Sequence, residues 1–333
     1  MNRPVLIISL VIILVLVAMA SLSIGPADIS FTEAAKIFLA KLHLINYQDI
    51  NLLHENIILH IRFPRVMLAI ITGMALSVAG VVLQALLRNP LADPYIIGVS
   101  SGAALGATLA IVLGLISLIS PAGFLGAVLA MFLVYGLAKT GYKVSVKTLL
   151  LAGVITNVFL SALISLVAFL KGESMYQIIL WLMGNLSETN INFILVAGLM
   201  VLIGVIAVYF FARDLNIISI GEESAQHLGI EVETVKKILF ITTSLITGAV
   251  VALTGLIGFV GLIIPHIMRL IVGPDHKILI VASMLAGGIF LTLADLFART
   301  VISPTEIPVG VITAIFGGPF FLFLLRRKKQ AIL

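Results

Sequence analysis

The 333-residue sequence contains no cysteine, so it carries neither a disulfide framework nor a thiolate metal site. Charge is scarce as well: charged residues make up 11% of the chain and hydrophobic residues 61%. A soluble domain of this length could not clothe its surface with so few charges. The chain is therefore read as a polytopic membrane protein. A third absence concerns nucleotides. The segment Gly98-Val99-Ser100-Ser101-Gly102-Ala103-Ala104-Leu105-Gly106 looks like a phosphate loop, but no Gly-Lys-Ser/Thr ending follows it or occurs elsewhere. Gly98, Gly102 and Gly106 instead recur at every fourth position and make a flat helix face for close packing. The net charge of +5 is no nucleic-acid signal, because the basic residues sit in short loops between apolar runs.

What is present is a series of apolar runs, at roughly 4–24, 66–87, 95–114, 117–138, 148–170, 191–212, 237–256, 257–272, 278–298 and 309–325. Each is long enough, or nearly so, to cross a hydrocarbon core of about 30 Å at a rise of about 1.5 Å per residue. The expected fold is all-α, a single transmembrane domain over residues 1–333 with ten spanning helices. The run 257–272 is short and is expected to be broken at Pro265. The run 176–184 is too short to span; with its polar flanks it reads as an interfacial or re-entrant helix on the outside, within 171–190. Ala18-Met19-Ala20 resembles a signal-peptidase site, but the apolar stretch before it exceeds a usual signal core, so an uncleaved first helix is expected.

The basic residues give an orientation. With the N-terminus inside, 14 of the 20 Lys and Arg residues fall on inner segments, including the Arg326–Lys329 cluster, which places both termini in the cytoplasm. Arg62, Arg65 and Arg299 then lie at helix ends on the outer side. Two readings stand. They snorkel to lipid phosphates or pair with local acids, Asp295 being one turn before Arg299. Alternatively they form an outward basic patch for a carboxylate-bearing partner, since guanidinium binds carboxylates bidentately.

A spacing recurs along the chain. Gly73, Gly80 and Pro90 are matched by Gly248, Gly255 and Pro265, each 175 residues on. By the span count the two copies cross the membrane in opposite senses. Spans two to five would match spans seven to ten as an inverted repeat, a common transporter plan.

Two segments stand out for chemistry. In Asn89-Pro90-Leu91-Ala92-Asp93-Pro94 each proline lacks a donor and biases the preceding residue away from helix, so the next span starts afresh with a cap near Asp93. This is either a tight inner loop or a constriction at the inner end of a pathway, with Asn89 and Leu91 facing it. Within the inner connection 213–237, residues 222–229 read as a short helix. Glu222 and Glu223 sit at its positive end and Gly229 at C′. It is either a solvated loop helix or a docking helix for a cytoplasmic partner. His43, His54 and His60 have spacings that match no zinc motif, His266 reads as a structural residue, and no nucleophile–base set is apparent. No cofactor or metal is expected, and the chain is not expected to be an enzyme.

Taken together, these segments closely resemble the permease subunits of type II ATP-binding cassette (ABC) importers, the iron–siderophore, haem and vitamin B12 family. The matching stretches are Arg62-Phe63-Pro64-Arg65, Leu83 to Pro94, Gly98-Val99-Ser100-Ser101-Gly102, Leu149 to Val154, Trp181-Leu182-Met183-Gly184, Gly258 to His266 and Glu306-Ile307-Pro308-Val309-Gly310. They run in the family's order over roughly residues 60–325. The resemblance implies a homodimer with its path at the centre, two ATPase subunits inside and a substrate-binding protein outside. It assigns Arg62, Arg65 and Arg299 to docking that protein; residues 221–229, with Glu222, Ala225, Leu228 and Gly229, to ATPase coupling; and Asn89 and Leu91 to an inner gate. A second gate element near Ser145–Lys147 matches poorly. The expected cargo is a metal chelate, iron–siderophore first, then haem or cobalamin, with an oxyanion such as molybdate behind. The competing expectation is an ion-coupled transporter working without an ATPase, for which Asp295 is the one candidate buried acid.

Overall fold

A computed structural model describes residues 3–25, 27, 29–41, 51–141 and 143–330. His43 lies outside the described residues. In chain order the helices are α1 (Arg3–Ser23), α2 (Phe31–Lys41), α3 (Leu52–Asn56), α4 (Phe63–Leu86), α5 (Val99–Val112), α6 (Ile119–Ala138), α7 (Val146–Leu170), α8 (Met175–Leu182), α9 (Ile191–Phe210), α10 (Ala212–Ile220), α11 (Glu222–His227), α12 (Val232–Thr254), α13 (Val260–Val272), α14 (His276–Thr300) and α15 (Val309–Gln330). A π-helical stretch, Ile57–Arg62, joins α3 to α4. The all-α expectation needs one correction. Lys139–Thr140 (β1) and Lys143–Val144 (β2) pair as a short antiparallel hairpin between α6 and α7.

Among the described residues, seven helical stretches are long and apolar enough to cross a membrane: α1, the continuous Leu52–Leu86, Ile116–Ala138, α7, α9, α12 and α14. Three more apolar helices, α5, α13 and the Val309–Phe320 part of α15, are shorter. The shortening of α5 relative to the run 95–114 has a local cause. Asp93 caps a 3-10 turn, Pro94–Ile97, and Gly98 then adopts φ 83°, a left-handed conformation that resets the chain direction before Val99. Pro265 behaves differently from expectation, since it lies inside α13 without breaking it. A proline there leaves the carbonyl four residues earlier without its helical donor. That carbonyl, on Gly261, faces the Gln84 side-chain amide at 3.4 Å, with Leu262 O at 3.3 Å from the same nitrogen. A neighbouring helix thus supplies the missing donor.

The central helices are α4, α12 and α14. In their most apolar windows 78%, 67% and 61% of residues are buried, against 28% or less for α1, α6, α7 and α9. α4 packs on α14, α12, α13 and α9. α1 lies along α14, so the amino end of α14 neighbours Arg3 and its carboxyl end neighbours Ser21.

The glycine–proline spacing does not mark equivalent positions. Gly80 is inside α4 while Gly255 ends α12, and Pro90 is in a turn while Pro265 is within a helix. Val99 and Val260 open α5 and α13, and they lie 161 residues apart rather than 175. In a chain rich in glycine, equal spacings arise without structural equivalence.

Candidate functional site

The arginine end of the bundle is built on the start of α4 and the end of α14. Pro64 lies just after the π-helical stretch Ile57–Arg62, where the hydrogen-bond ladder of the continuous helix changes register. Arg62 Nη1 donates to the carbonyls of Leu22 (2.8 Å) and Ser23 (2.5 Å), and its Nη2 donates to Ala27 O at 2.7 Å. Arg299 Nη2 donates to Ser21 O (2.8 Å) and Ser21 Oγ (2.7 Å). Two arginines therefore cap the last turn of α1, where carbonyls lack helical donors and the dipole is negative. Arg65 Nε donates to Asp295 Oδ1 at 2.9 Å, while Arg65 Nη1 holds Glu306 at 2.8 and 3.0 Å. Arg299 Nε lies 3.2 Å from Asp295 Oδ2, an ion-pair distance at which the N–H points off the hydrogen-bond line.

The three arginines are thus brought into one cluster, but they do not present an open patch. Arg62, Arg65 and Arg299 are 3%, 8% and 3% exposed and Asp295 is fully buried. Only Glu306 shows a substantial surface, with 41% of its side chain exposed. Pairing with local acids, the blander of the two sequence readings, is realised at Asp295. The Glu306 contact was missed. It spans 241 residues, and the signal available was an acid, Glu306, at the start of the final apolar run.

At the other end of α4 the chain turns at Arg88, whose φ is 46°. Asn89 Oδ1 accepts the Leu91 N–H at 3.0 Å, which closes an Asx turn, and Leu91 is exposed. Asp93 Oδ1 accepts the Tyr95 N–H at 2.8 Å, the cap anticipated from the sequence. The Tyr95 hydroxyl donates to Ile257 O and accepts from Ile257 N, both at 3.0 Å. It therefore joins the 87–98 break to the non-helical segment between α12 and α13. From α7, Asn157 Nδ2 donates to Tyr95 O at 3.1 Å while Asn157 Oδ1 faces Ser101 Oγ at 2.6 Å. Asn157 was not singled out from the sequence. A lone amide in the apolar run 148–170 was the signal, because such a group in a membrane segment needs an internal partner.

Beside this junction lies a cavity of about 580 Å³, with Ser100 and Ser101 of α5 and Asn157, Ser161 and Ser165 of α7 on its walls. The last three are at i, i+4 and i+8, so one face of α7 carries a polar stripe along the cavity. A second hollow of about 440 Å³ shares Leu182 and Leu256 with it and reaches Gly310 and Ala314 of α15. Gly102 and Gly106 do not line a ligand site through their backbones. A Cβ on either would meet the carbonyl of Gly126 (2.4 Å) or Ala122 (2.1 Å), so α5 and α6 touch backbone to backbone there. Gly98 has a different task, the left-handed turn described above.

The connection 213–237 folds as α10 and α11. Ala225 is fully buried against the core, whereas Leu228 is 68% exposed. Lys236 Nζ reaches Glu222 at 2.6 Å and Glu233 at 3.1 Å, tying α11 to the first turns of α12. Gly229 takes φ 82°, with its N–H on Gln226 O and the Ile230 N–H on Ala225 O, the C′ geometry expected of it. Asn216 of α10 donates to Asp275 Oδ1 at 3.0 Å and thereby holds that carboxyl below its usual range. This end is opposite the arginine cluster, since Asp275 caps the start of α14 and Arg299 lies in its last turn.

These features sit in a known framework. A model of the FecCD transport family matches residues 12–327. The chain belongs to that family. This FecCD-family chain is 44% identical over 287 residues to the uncharacterized ABC transporter permease protein YvrB of Bacillus subtilis, covering 84% of this chain and 81% of that protein. It is 36% identical over 329 residues to the hemin transport system permease protein HmuU of Yersinia pestis, covering 96% and 95% of the two chains. A solved structure described as an inward-facing conformation of a metal-chelate type ABC transporter superimposes with a TM-score of 0.84 at 33% identity, over 97% of this chain and 99% of the other.

Proposed function

We propose that this chain is the membrane-spanning permease subunit of an ATP-driven importer of metal chelates, with iron–siderophore as its first cargo. The observation that carries the reading is the near full-length likeness, in sequence and in fold, to ABC transporter permeases. The cavity adds support. Its polar wall groups are hydroxyls, one amide and the Asp93 carboxyl, with no cation among them, a lining without a fixed positive charge to hold an anionic chelate as it passes. Relatives named for cobalamin (Halobacterium salinarum), hemin, Fe(3+)-citrate (Bacillus subtilis) and molybdate (Haemophilus influenzae) show how widely cargo varies on this frame. Asp295, the acid on which an ion-coupled alternative depends, is held between Arg65 and Arg299 and is not free to cycle a proton.

In this reading the seven long helices and three short apolar ones are ten crossings of the cell membrane, with both termini cytoplasmic. The inverted repeat is a repeat of helices rather than of glycines, α4 to α7 against α12 to α15. In its favour, α4 packs on α14 and α13 just as α12 packs on α6 and α5. A second copy of the chain covers the exposed apolar faces of α7 and α15 and closes the cavity into a central path. Two ATPase subunits dock at α11, where Leu228 enters their groove and Glu222, Ala225 and Gly229 fix the helix. Their closure on ATP pushes this end, and the Asn89–Leu91 turn opens and shuts the path. A substrate-binding protein docks at the end that holds Arg62, Arg65 and Arg299.

Leu228→Asp tests the assignment. Leu228 is exposed, so the change should shift stability by no more than about 0.5 kcal/mol. Reconstituted with its ATPase, the variant should hydrolyse ATP but lose most transport. Normal transport would rule out coupling through α11. Ala225→Asp is not a clean counterpart, because Ala225 is buried and a carboxylate there disrupts the packing of α11 itself.

A further inference from the structure

We infer that Glu306 is a resident stand-in for a docking partner's carboxylate, and that docking exchanges the one for the other on Arg65. The inference rests on the docking reading proposed above. Of the five charged groups in the cluster, Arg62, Arg65, Arg299 and Asp295 are buried and Glu306 alone has an exposed side chain. A carboxylate arriving from outside therefore meets the cluster at the place Glu306 occupies. Asp295 cannot yield that place, being fully buried between two guanidiniums, whereas Glu306, with 41% of its side chain exposed against 10% for Arg65, can leave Arg65 directly into water. Three guanidiniums against two carboxylates leave a surplus positive charge, which draws an anion in and is neutralised only when one more arrives.

The segment that carries Glu306 lies at the surface. Residues 301–306 are exposed, and beyond the turn bond from Thr305 N–H to Ile302 O at 3.0 Å the backbone is held to α14 by Ile307 N–H on Ala298 O at 3.1 Å. Four residues after Glu306, Gly310 lies against the carbonyls of Met183 and Leu256, where a Cβ would come within 2.3 and 2.6 Å. Those same residues rim the hollow that adjoins the large cavity. Release of Glu306 is thus a direct mechanical route from a docked partner to the mouth of the path, through the first turn of α15.

The probe is the binding protein that copurifies with the full complex, fluorescently labelled and titrated onto that complex in nanodiscs at low salt. Glu306→Gln keeps the shape, removes the competing charge and should tighten docking by about three- to fivefold, the worth of an exposed ion pair. Arg65→Lys keeps the charge opposite Asp295, loses the fork and should weaken docking. Unchanged or weaker docking by Glu306→Gln, with Arg65→Lys still weakening it, would overturn the exchange and leave the docking reading standing. Docking indifferent to Arg65→Lys and to salt would remove the docking reading and the exchange with it. A spin label on Thr305→Cys, the one cysteine in this chain, gives a second readout. It should become mobile on docking in the wild type and be mobile beforehand in Glu306→Gln. A label that docking leaves unmoved contradicts the exchange.

Discussion

The central helices α4, α12 and α14 and the outer helices α1, α6 and α9 divide their residues in the opposite sense to a soluble protein. The outer helices are the more uniformly apolar, and their large side chains, such as Leu199 and Ile203 of α9, are exposed. The centre holds the polar groups: Gln84 on α4, Thr243 and Thr254 on α12, Thr292, Asp295 and Arg299 on α14, each with a partner inside the bundle. In lipid there is no gain in hiding a leucine from its surroundings, whereas a hydroxyl or a charge must find partners inside. Apolar strength therefore identifies a span without locating it in the bundle. Small residues and polar exceptions locate it.

Substitutions at the centre should break this contrast first. Asp295→Asn leaves Arg65 and Arg299 buried beside a neutral group, and losing one partner of such a set costs about 3–5 kcal/mol. Thermal unfolding in detergent should show the complex failing to assemble or melting far earlier, and a wild-type melt would mean the cluster is not the clasp between α4 and α14 that the geometry describes. The same reasoning alters what an Arg65→Glu variant would report. Placed opposite Asp295, a glutamate damages the fold as well as any docking surface, so charge-keeping changes are the better probes.

Next comes packing. A Cβ on Gly80 would sit 1.8 Å from Gly261 O, so α4 and α13 must separate to accept Gly80→Ala. Overpacking of this kind costs about 1–3 kcal/mol. Gly136, on α6, has nothing within 4 Å of its Cβ position, and Gly136→Ala should be neutral or slightly stabilising. Equal effects at the two sites in one melting series would erase the distinction between centre and shell.

How much of this was legible in the sequence varied with range. Local signals read well: the Asp93 cap, Gly229 at C′, the break after Asn89 and the bounds of α1, α7 and α14 follow from chemistry within a few residues. Long-range partners did not. Nothing near Arg62 indicates that it caps α1, and nothing near Arg65 points to Glu306. Pro265 misled for the same reason, because whether a proline breaks a helix depends on who serves the freed carbonyl, and Gln84 is far away in sequence. The glycine–proline spacing misled in the other direction, because equal spacings in a glycine-rich chain fall on positions that the helices do not make equivalent.

The central claim is that ATP hydrolysed on a partner subunit drives cargo through this chain, and proteoliposome uptake tests it most directly. Vesicles holding this chain with its ATPase and binding protein should accumulate a ferric siderophore only with ATP on the cytoplasmic side, and vesicles holding this chain alone should not accumulate it under any ion gradient. Uptake by the chain alone, driven by a proton or sodium gradient and indifferent to ATP, would contradict the account.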